Sequence, residues 1–527
     1  MSRHSKTRAK RHIGKWQVDP QALRERSLRL TPLLLGGSAF VVYLLTMAPV
    51  LTWAHAGRDG GDLITAARFL GVPHPTGYPT YTTLAWLFTR LPLGSVAWRV
   101  HLLSGLAAAV TVALVYVIGR RLAAEETREP AALGAAVGAL LLAFSPLFWG
   151  QSLIAEVYTL HLFFVTLILW LTLRWRDGES PLPLAALAFG LGMGNHITLT
   201  FLGPAILLLL WSGRERLSLR VVLGSALALA AGLLVYLYLP WRAATNPVIN
   251  WGNPDTWEGF SWVISGQGYR RFFFALPADE LTSRLEDWWN LSGDQFPILA
   301  WPLAAWGLWG LARRHRWLAL GTFLHAAINL VYSIGYDVSD AFVHLLPVYL
   351  YLALWMGQGA VYLLMAIIRL GRPGQRPQEV LTLVTVGLLV LPVVSLAEEW
   401  AGMDLTHDRD AYNYAQEALE LVEPDALILV GSDVYTFALW YQRYVEGLRP
   451  DVATVNYAML SFDWYQRTVA TYHPDVVLPS PDDAKTTKLA HVLRNLNGRA
   501  VYIAEDEDDL PGLQLTPVGS LWRVTAP

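Results

Sequence analysis

The 527-residue chain draws 54% of its residues from the hydrophobic set and only 16% from Asp, Glu, Lys and Arg, with a mean hydropathy of +0.35. A soluble domain of ordinary composition carries about 25% charged residues and no repeated apolar runs of about 20 residues, so soluble globular and disordered classes are excluded. The net charge of −2 hides 40 basic and 42 acidic residues held in different places, and the absence of cysteine removes disulfides, thiolate zinc sites and cysteine nucleophiles.

Residues 1–30 form a basic tail with nine Lys/Arg against Asp19 and Glu25. The apolar run Thr31–Val50 that follows has no small-residue cleavage site behind it, which predicts a retained first helix. By the positive-inside rule the tail is cytoplasmic and the chain emerges outside after Val50; solubility, and not nucleic-acid binding, is the ordinary role of such a tail. Further apolar runs lie at 97–118, 131–149, 153–173, 183–211, 220–240, 297–312, 317–335, 343–368 and 379–397. The run 183–211 is too long for one crossing of a core roughly 30 Å thick, and its middle, Gly192-Met193-Gly194-Asn195-His196, predicts a break into two short helices. Eleven spans result. The clusters Arg120/Arg121/Arg128, Arg174/Arg176, Arg214/Arg216/Arg220, Arg313/Arg314/Arg316 and Arg369/Arg372/Arg376 then all fall on the cytoplasmic side. Gly77–Leu93, short and carrying Pro79, Arg90 and Pro92, is expected as an interfacial or re-entrant helix.

The expected fold is therefore mainly α: a polytopic membrane bundle over 31–397 with outer loops 51–96 and 241–296. Beyond Ala397 charge returns and the apolar runs shorten. Ala426–Val430, Asp451–Val455 and Ala500–Ala504 read as buried strands, and Tyr412–Val422 and Val434–Val445 as helices, so 398–527 is expected to be a small extracytoplasmic α/β domain.

Polar residues collect on the outer side of this arrangement, where ionisable groups near membrane depth mark a functional pathway by default. Asp59 and Asp62 sit three apart among glycines beside an apolar segment; a desolvated carboxylate there is a usable general base, although a solvated turn is the plainer alternative. His74, between two prolines, reads more readily as a packed turn residue than as a catalyst. Glu156, entering an apolar helix, needs a partner or a task, and Gln151 lies one turn earlier. Asn195-His196 serves equally as a cap or as a ligand contact. Asp337, with Asp340 and His344, precedes the tenth span. Loop 241–296 carries six tryptophans with Tyr269 and Phe272 to Phe274; interfacial anchoring explains these, and an aromatic groove with Arg242, Arg270 and Arg271 facing an anionic phosphate is the functional alternative.

The ordered set Asp59-Gly-Gly-Asp62, His74-Pro-Thr-Gly-Tyr78-Pro, Ala155-Glu156-Val-Tyr158, Gly194-Asn195-His196 and Gly431-Ser-Asp433-Val-Tyr-Thr-Phe437, followed by Arg449-Pro-Asp451, resembles the membrane-embedded GT-C glycosyltransferases, within them a family related to protein O-mannosyltransferases. The resemblance implies an outward-facing site in which an acid of the first outer loop deprotonates an acceptor hydroxyl, and the oxygen displaces a polyprenyl phosphate from a lipid-linked monosaccharide with inversion. The family usually has Asp-Ser-Gly-Glu and His-Pro-Pro-Gly; the shorter Asp62 here leaves Asp59 as the base, with Asp62 orienting it or the acceptor. Catalysis is thus expected from Asp59 and Asp62, and substrate binding from His74, Tyr78, Gln151, Glu156, Tyr158, Asn195, His196, Arg242 and Asp337. The expected partners are a polyprenyl-phosphate sugar as co-substrate, a protein or glycan acceptor and the bilayer, with no nucleic acid; no tightly bound cofactor and no obligatory metal is expected. A transporter or flippase of lipid-linked saccharides is the principal rival, because broken helices with polar residues at depth also mark transport sites. A receptor working through its outer domain is a third reading.

Overall fold

The computed structural model describes residues 20–122, 128–370, 377–480, 492–493, 498–504 and 514–526. The basic tail up to residue 19, the acidic pair Glu125/Glu126 and the arginines Arg372 and Arg376 lie outside the described residues. The long helices follow the apolar runs. The first is α1 (Pro20–Thr46); α2 (Gly60–Phe69) and α3 (Pro79–Thr89) fill the first long loop, residues 51–96. Then come α4 (Val96–Arg121), α5 (Arg128–Ala143), α6 (Pro146–Ser152), α7 (Tyr158–Arg176), α8 (Leu182–Met193), α9 (Gly203–Ser212), α10 (Leu219–Leu233) and α11 (Tyr238–Ala243). The long loop carries α12 (Trp257–Ile264) and α13 (Leu281–Asp294), and α14 (Trp301–Arg314), α15 (Arg316–Gly335), α16 (Leu346–Leu370) and α17 (Pro377–Met403) complete the bundle.

Among the described residues six helices are long and apolar enough to cross a membrane, or seven if the pair bent by 66° at α5–α6 is one span. This is a multi-pass membrane protein. Each of the eleven expected runs meets a helix, but Leu30–Thr46, Leu182–Met193 and Ile197–Ser212 are shorter, and α14 has 14 residues, below the ~20 that one straight crossing needs. Polar turns account for part of the deficit. The chain breaks at Gly194-Asn195-His196, as the sequence suggested, and at Ser145, where Pro146 opens α6. At α3, 11 residues are too few to span. Thr80, on its first turn, donates from its amide to the Gly194 carbonyl and from its hydroxyl to that of Leu191, tying the first loop to the α8 break. Where α14 meets α16 the backbones touch: a Cβ at Gly307 would lie 1.7 Å from the Trp355 carbonyl oxygen, and one at Gly359 2.0 Å from that of Leu303. Only small residues permit such an approach between helices in lipid.

The arginine-rich loops converge at one end. Arg121 bonds both Asp177 (2.8 Å) and Glu179 (2.6 Å), with Arg174 and Arg176 on the same carboxylates. α7 has these arginines in its last turn and Tyr158 at its first residue, about 27 Å away at 1.5 Å per residue.

Past α17 a mixed five-stranded sheet forms from β1 (Leu427–Val430), β2 (Ala453–Asn456), β3 (Val501–Ile503), β4 (Gln514–Val518) and β5 (Leu521–Ala526), in the order β2-β1-β3-β5-β4. β1 pairs in parallel with β2 and β3, while β3–β5 and β4–β5 are antiparallel. All residues of β1, β2 and β3 are buried, which is why they read as continuous apolar runs. The β4–β5 hairpin, more exposed, gave no such run. Helices α18 (Asp410–Leu421), α19 (Asp433–Trp440) and α20 (Asp463–Tyr472) cover the sheet. Leu427 and Leu429 share a core with Phe437, Trp464 and, from the bundle's long loop, Ile249 and Trp251, so the sheet is packed onto the bundle.

The two parts approach closely at Gly61 on α2, where a Cβ would lie 2.2 Å from the Phe437 carbonyl oxygen on α19. Gly61→Ala must displace one helix backbone, a strain of about 1–3 kcal/mol; a lower thermal unfolding midpoint in detergent and faster proteolysis between Met403 and Asp410 are expected, and an unchanged midpoint would contradict the close packing.

Candidate active site

A cavity of about 460 Å³ opens between the loop 51–96, the α8 break, the loop 241–296, the segment before α16 and α19. Asp59, His74, Tyr78, Tyr158 and His196 line it, together with Arg58, Tyr269, Tyr336, Asp340, His344 and Asp433.

The loop 51–96 builds its floor. Asp59 ends a 3-10 turn, and α2 begins at the next residue, so Asp62 falls in the first turn of α2. Asp62 is fully buried. Its Oδ2 accepts from the His74 backbone amide (3.0 Å) and lies 2.8 Å from His74 Nδ1, while its Oδ1 accepts from Trp251 Nε1 (3.1 Å). The imidazole is thereby fixed. Its other nitrogen, Nε2, points to Asp59 Oδ2 at 3.4 Å and to the Tyr78 hydroxyl at 3.2 Å, and that hydroxyl in turn donates to the Pro75 carbonyl. Burial alone would lower the pKa of His74, but the carboxylates of Asp59 and Asp62 raise it to about 9. Asp59 itself is pushed up to about 6 by burial in the recess; His74 pulls it down, and Asp340, Asp62 and Asp433 add to the rise. Its side chain nevertheless keeps 38% of its surface, which reconciles a deep position with access from the cavity. Between about pH 6 and 9 the pair is a carboxylate beside an imidazolium, the two titrating as a coupled unit.

Five of the expected site residues, Asp59, His74, Tyr78, Tyr158 and His196, thus share one cavity; the others lie behind or beside its wall. Asp62 acts on His74 and not on a ligand. Gln151 donates to the His55 carbonyl (2.7 Å), holding the turn that precedes Asp59. Asn195 donates to the Val157 carbonyl (3.1 Å), joining the α8 break to the start of α7. Glu156 is buried, with its carboxylate toward the Val157 amide at 3.4 Å. Asp337 pairs loosely with Arg284 (3.9 Å), and it is Asp340, three residues on, that reaches the cavity.

Arg242 needs the largest correction. Its Nε donates to the Leu70 carbonyl (2.6 Å) and its Nη2 to that of Phe69 (3.1 Å), the free carbonyls at the end of α2, and its guanidinium lies over Trp241. A cation at a helix C-terminus is stabilising there. Arg242 does lie in the last turn of its helix, but spacing could not reveal which backbone it would meet. Among the described residues lining the cavity Arg58 is the sole arginine, donating to the Ser339 hydroxyl (3.3 Å). Its position next to Asp59 was the available signal. Tyr269 comes from the long loop, whose aromatics interfacial anchoring also explains, and Tyr336 directly precedes Asp337.

Known proteins resemble this chain in sequence and in fold. The model of the Protein O-mannosyl-transferase TMEM260 N-terminal domain matches residues 59–219, beginning at Asp59 itself, and that of TMEM260-associated domain 2 matches residues 411–477. Protein O-mannosyl-transferase TMEM260 of Mus musculus is 30% identical over 472 residues, 84% of this chain and 64% of the relative; that of Dictyostelium discoideum is 22% identical over 531 residues, 89% and 63%. The chain therefore spans just under two thirds of the length of the curated relatives it matches. ArnT from Cupriavidus metallidurans, solved bound to undecaprenyl phosphate, superimposes with a TM-score of 0.57 at 15% identity, covering 93% of this chain and 97% of ArnT. The chain is thus similar to these protein O-mannosyl-transferases over part of their length and shares its fold with ArnT.

In this chain Arg242→Ala removes two charged hydrogen bonds from the end of α2, about 1.5–3 kcal/mol each at most and less for its partly exposed guanidinium. A lower thermal midpoint, partly restored by Arg242→Lys, is expected; an unaltered midpoint would return Arg242 to the pool of ligand-binding candidates.

Proposed function

We propose that the protein transfers a monosaccharide, by its relatives' names a mannosyl residue, from a polyprenyl-phosphate donor to a hydroxyl group of a protein or glycan acceptor on the extracytoplasmic face. The observation that carries this reading is Asp59: a carboxylate raised to about pKa 6, open to the cavity and held beside a fixed imidazolium. A base in this range is ionised at neutral pH yet still basic enough to take up a proton as the acceptor attacks. The acceptor O–H gives its proton to Asp59, its oxygen forms the new bond to the anomeric carbon, and the bond from that carbon to the phosphate oxygen breaks with its electron pair on the leaving polyprenyl phosphate. Attack opposite the leaving group inverts the anomeric centre.

The negative charge growing on the phosphate needs a cation in place before the bond breaks. Arg58 is the candidate on the cavity wall. His74 has a different part, keeping Asp59 ionised while Asp62 and Trp251 keep His74 in position. The step as written uses the lipid-linked sugar as co-substrate and invokes no bound cofactor or metal. ArnT, solved with undecaprenyl phosphate on the same fold, supports a lipid-phosphate donor in general terms. A flippase would need a polar path to the far end of the bundle, whereas the cavity lies a helix length from the arginine cluster.

The orientation proposed is a cytoplasmic N-terminus with the cavity and the α/β domain outside. A cysteine at the exposed Thr471 position (Thr471→Cys) should be labelled by an impermeant thiol reagent in intact cells, without interference because the chain has no cysteine; labelling only after lysis would reverse the orientation.

Asp59→Asn should lower turnover about 10²–10⁴-fold with little change in donor affinity, and Arg58→Ala should lower kcat/KM for the donor. Near-normal turnover in Asp59→Asn would remove the base. In the wild type kcat/KM should rise with pH through about 6, as Asp59 ionises, and fall above about 9, as His74 loses its proton. Because the imidazolium holds the Asp59 pKa down, His74→Ala should move the acidic limb to higher pH; an acidic limb that stays in place would break the proposed coupling.

A further inference from the structure

Two cavity-lining residues, Asp433 and Val434, come from the C-terminal α/β region; the other lining residues belong to the bundle and its loops. Asp433 is the first residue of α19, and that helix is held against the bundle along its length. Phe437 sits against Gly61 and against the Trp251 ring (centroids 6.2 Å), and Tyr435 against Trp53 (5.8 Å). Trp251 is also the residue that bonds Asp62. The position of Asp433 relative to the Asp59–His74 pair is therefore fixed by packing, not left to a mobile domain.

The Asp433 side chain is exposed to the cavity, and its Oδ1 has one long hydrogen bond, from Asn456 Nδ2 at 3.3 Å, an amide that also donates to Thr436 at 3.0 Å. A carboxylate offers about four acceptor positions, so most of its capacity faces the open space. A carboxylate cannot approach the donor's phosphate without repulsion, and Asp433 already shares the recess with Asp59 and Asp340. The occupant it suits is a group that donates hydrogen bonds or carries positive charge, entering from the side of the α/β domain.

We infer that Asp433 is a specificity-determining residue for the acceptor, receiving a cationic or hydrogen-bond-donating group that flanks the acceptor hydroxyl. This rests on the transferase reading above and deepens it: the substrate class is a hydroxyl-bearing peptide with a basic neighbour, and the α/β domain is part of the active site. An acidic neighbour is disfavoured by the same carboxylate, which is selection by repulsion as well as by attraction.

The test uses the purified full-length chain at pH 8, a short-chain polyprenyl-phosphate mannose, and three threonine peptides with Lys, Ala or Glu beside the threonine. The wild type should favour the Lys over the Glu peptide in kcat/KM by about tenfold, the size of one charge-assisted hydrogen bond. Asp433→Asn should bring that ratio close to one through the acceptor KM, with the donor KM unchanged, and Asp433→Lys should invert the ratio toward the Glu peptide. The inversion requires a folded site, so it separates a role in recognition from loss of structure. A wild type that glycosylates all three peptides equally, variants that keep the wild-type ratio, or a rise in donor KM in place of acceptor KM would overturn the inference and leave the transferase reading standing. A wild type that transfers to none of them while Asp59→Asn and the wild type hydrolyse the donor alike would overturn both.

Discussion

A buried imidazole held between two carboxylates organises this protein. Asp62, fully buried, would be costly alone in an apolar setting, and its oxygens are satisfied by the His74 amide and ring and by the Trp251 indole. That satisfaction fixes the ring of His74, and the fixed ring presents Nε2 to Asp59. The three side chains come from 16 consecutive residues, but the fourth, Trp251, is brought from the long loop. There Val72 pairs with Asn250: its amide donates to the Ile249 carbonyl and its carbonyl accepts from the Trp251 amide. The Asp59 carboxylate is thus supported by a structure that extends well beyond the loop that carries it.

The α/β domain is the next layer of the same support. Trp251 packs on Trp464 with ring centroids 5.1 Å apart, and Phe437 touches both Trp251 and the backbone of Gly61. The sheet's buried face and the loop under the cavity therefore share one apolar core. Such a core makes the domain a wall of the site, and the contacts that hold it there explain the glycine at position 61 better than any need for conformational freedom, since Gly61 is an ordinary helical residue of α2.

The bundle contributes by position. Its helix breaks at Ser145 and at Gly194-Asn195-His196 lie toward the cavity end, and the polar groups freed there are used to join segments: Thr80 to Gly194, Asn195 to Val157, Gln151 to His55. Non-helical backbone is tolerated at such depth only where it is buried in protein or lines a cavity. The other end carries the arginine–carboxylate cluster around Arg121 and lacks comparable breaks among the described residues.

The sequence by itself determined the class of protein, the apolar helices in order, the break at Asn195-His196, the three buried strands and the prominence of Asp59, because hydropathy, period and glycine-flanked charge are local properties that survive in one dimension. The resemblance to protein O-mannosyltransferases was legible in the same short motifs. Which of the polar residues meet was not. Gln151, Asn195, Asp62 and Arg242 are as polar and as near the helix ends as His196 and Tyr158, yet the donor groups of Gln151, Asn195 and Arg242 and the carboxylate of Asp62 are taken up by neighbouring backbone or side chains, whereas Asp340 and Asp433 turn into the cavity. That division depends on which chain segments lie within about 3 Å of each side chain, and such partners are up to 189 residues apart, as for Trp251 and Asp62. The helix lengths were equally out of reach where a run's polar ends bend away, and the β4–β5 hairpin gave no apolar run because its strands are partly exposed. Hydrogen-bond satisfaction is a property of the folded neighbourhood, and only the tertiary structure decides which polar groups remain free to act.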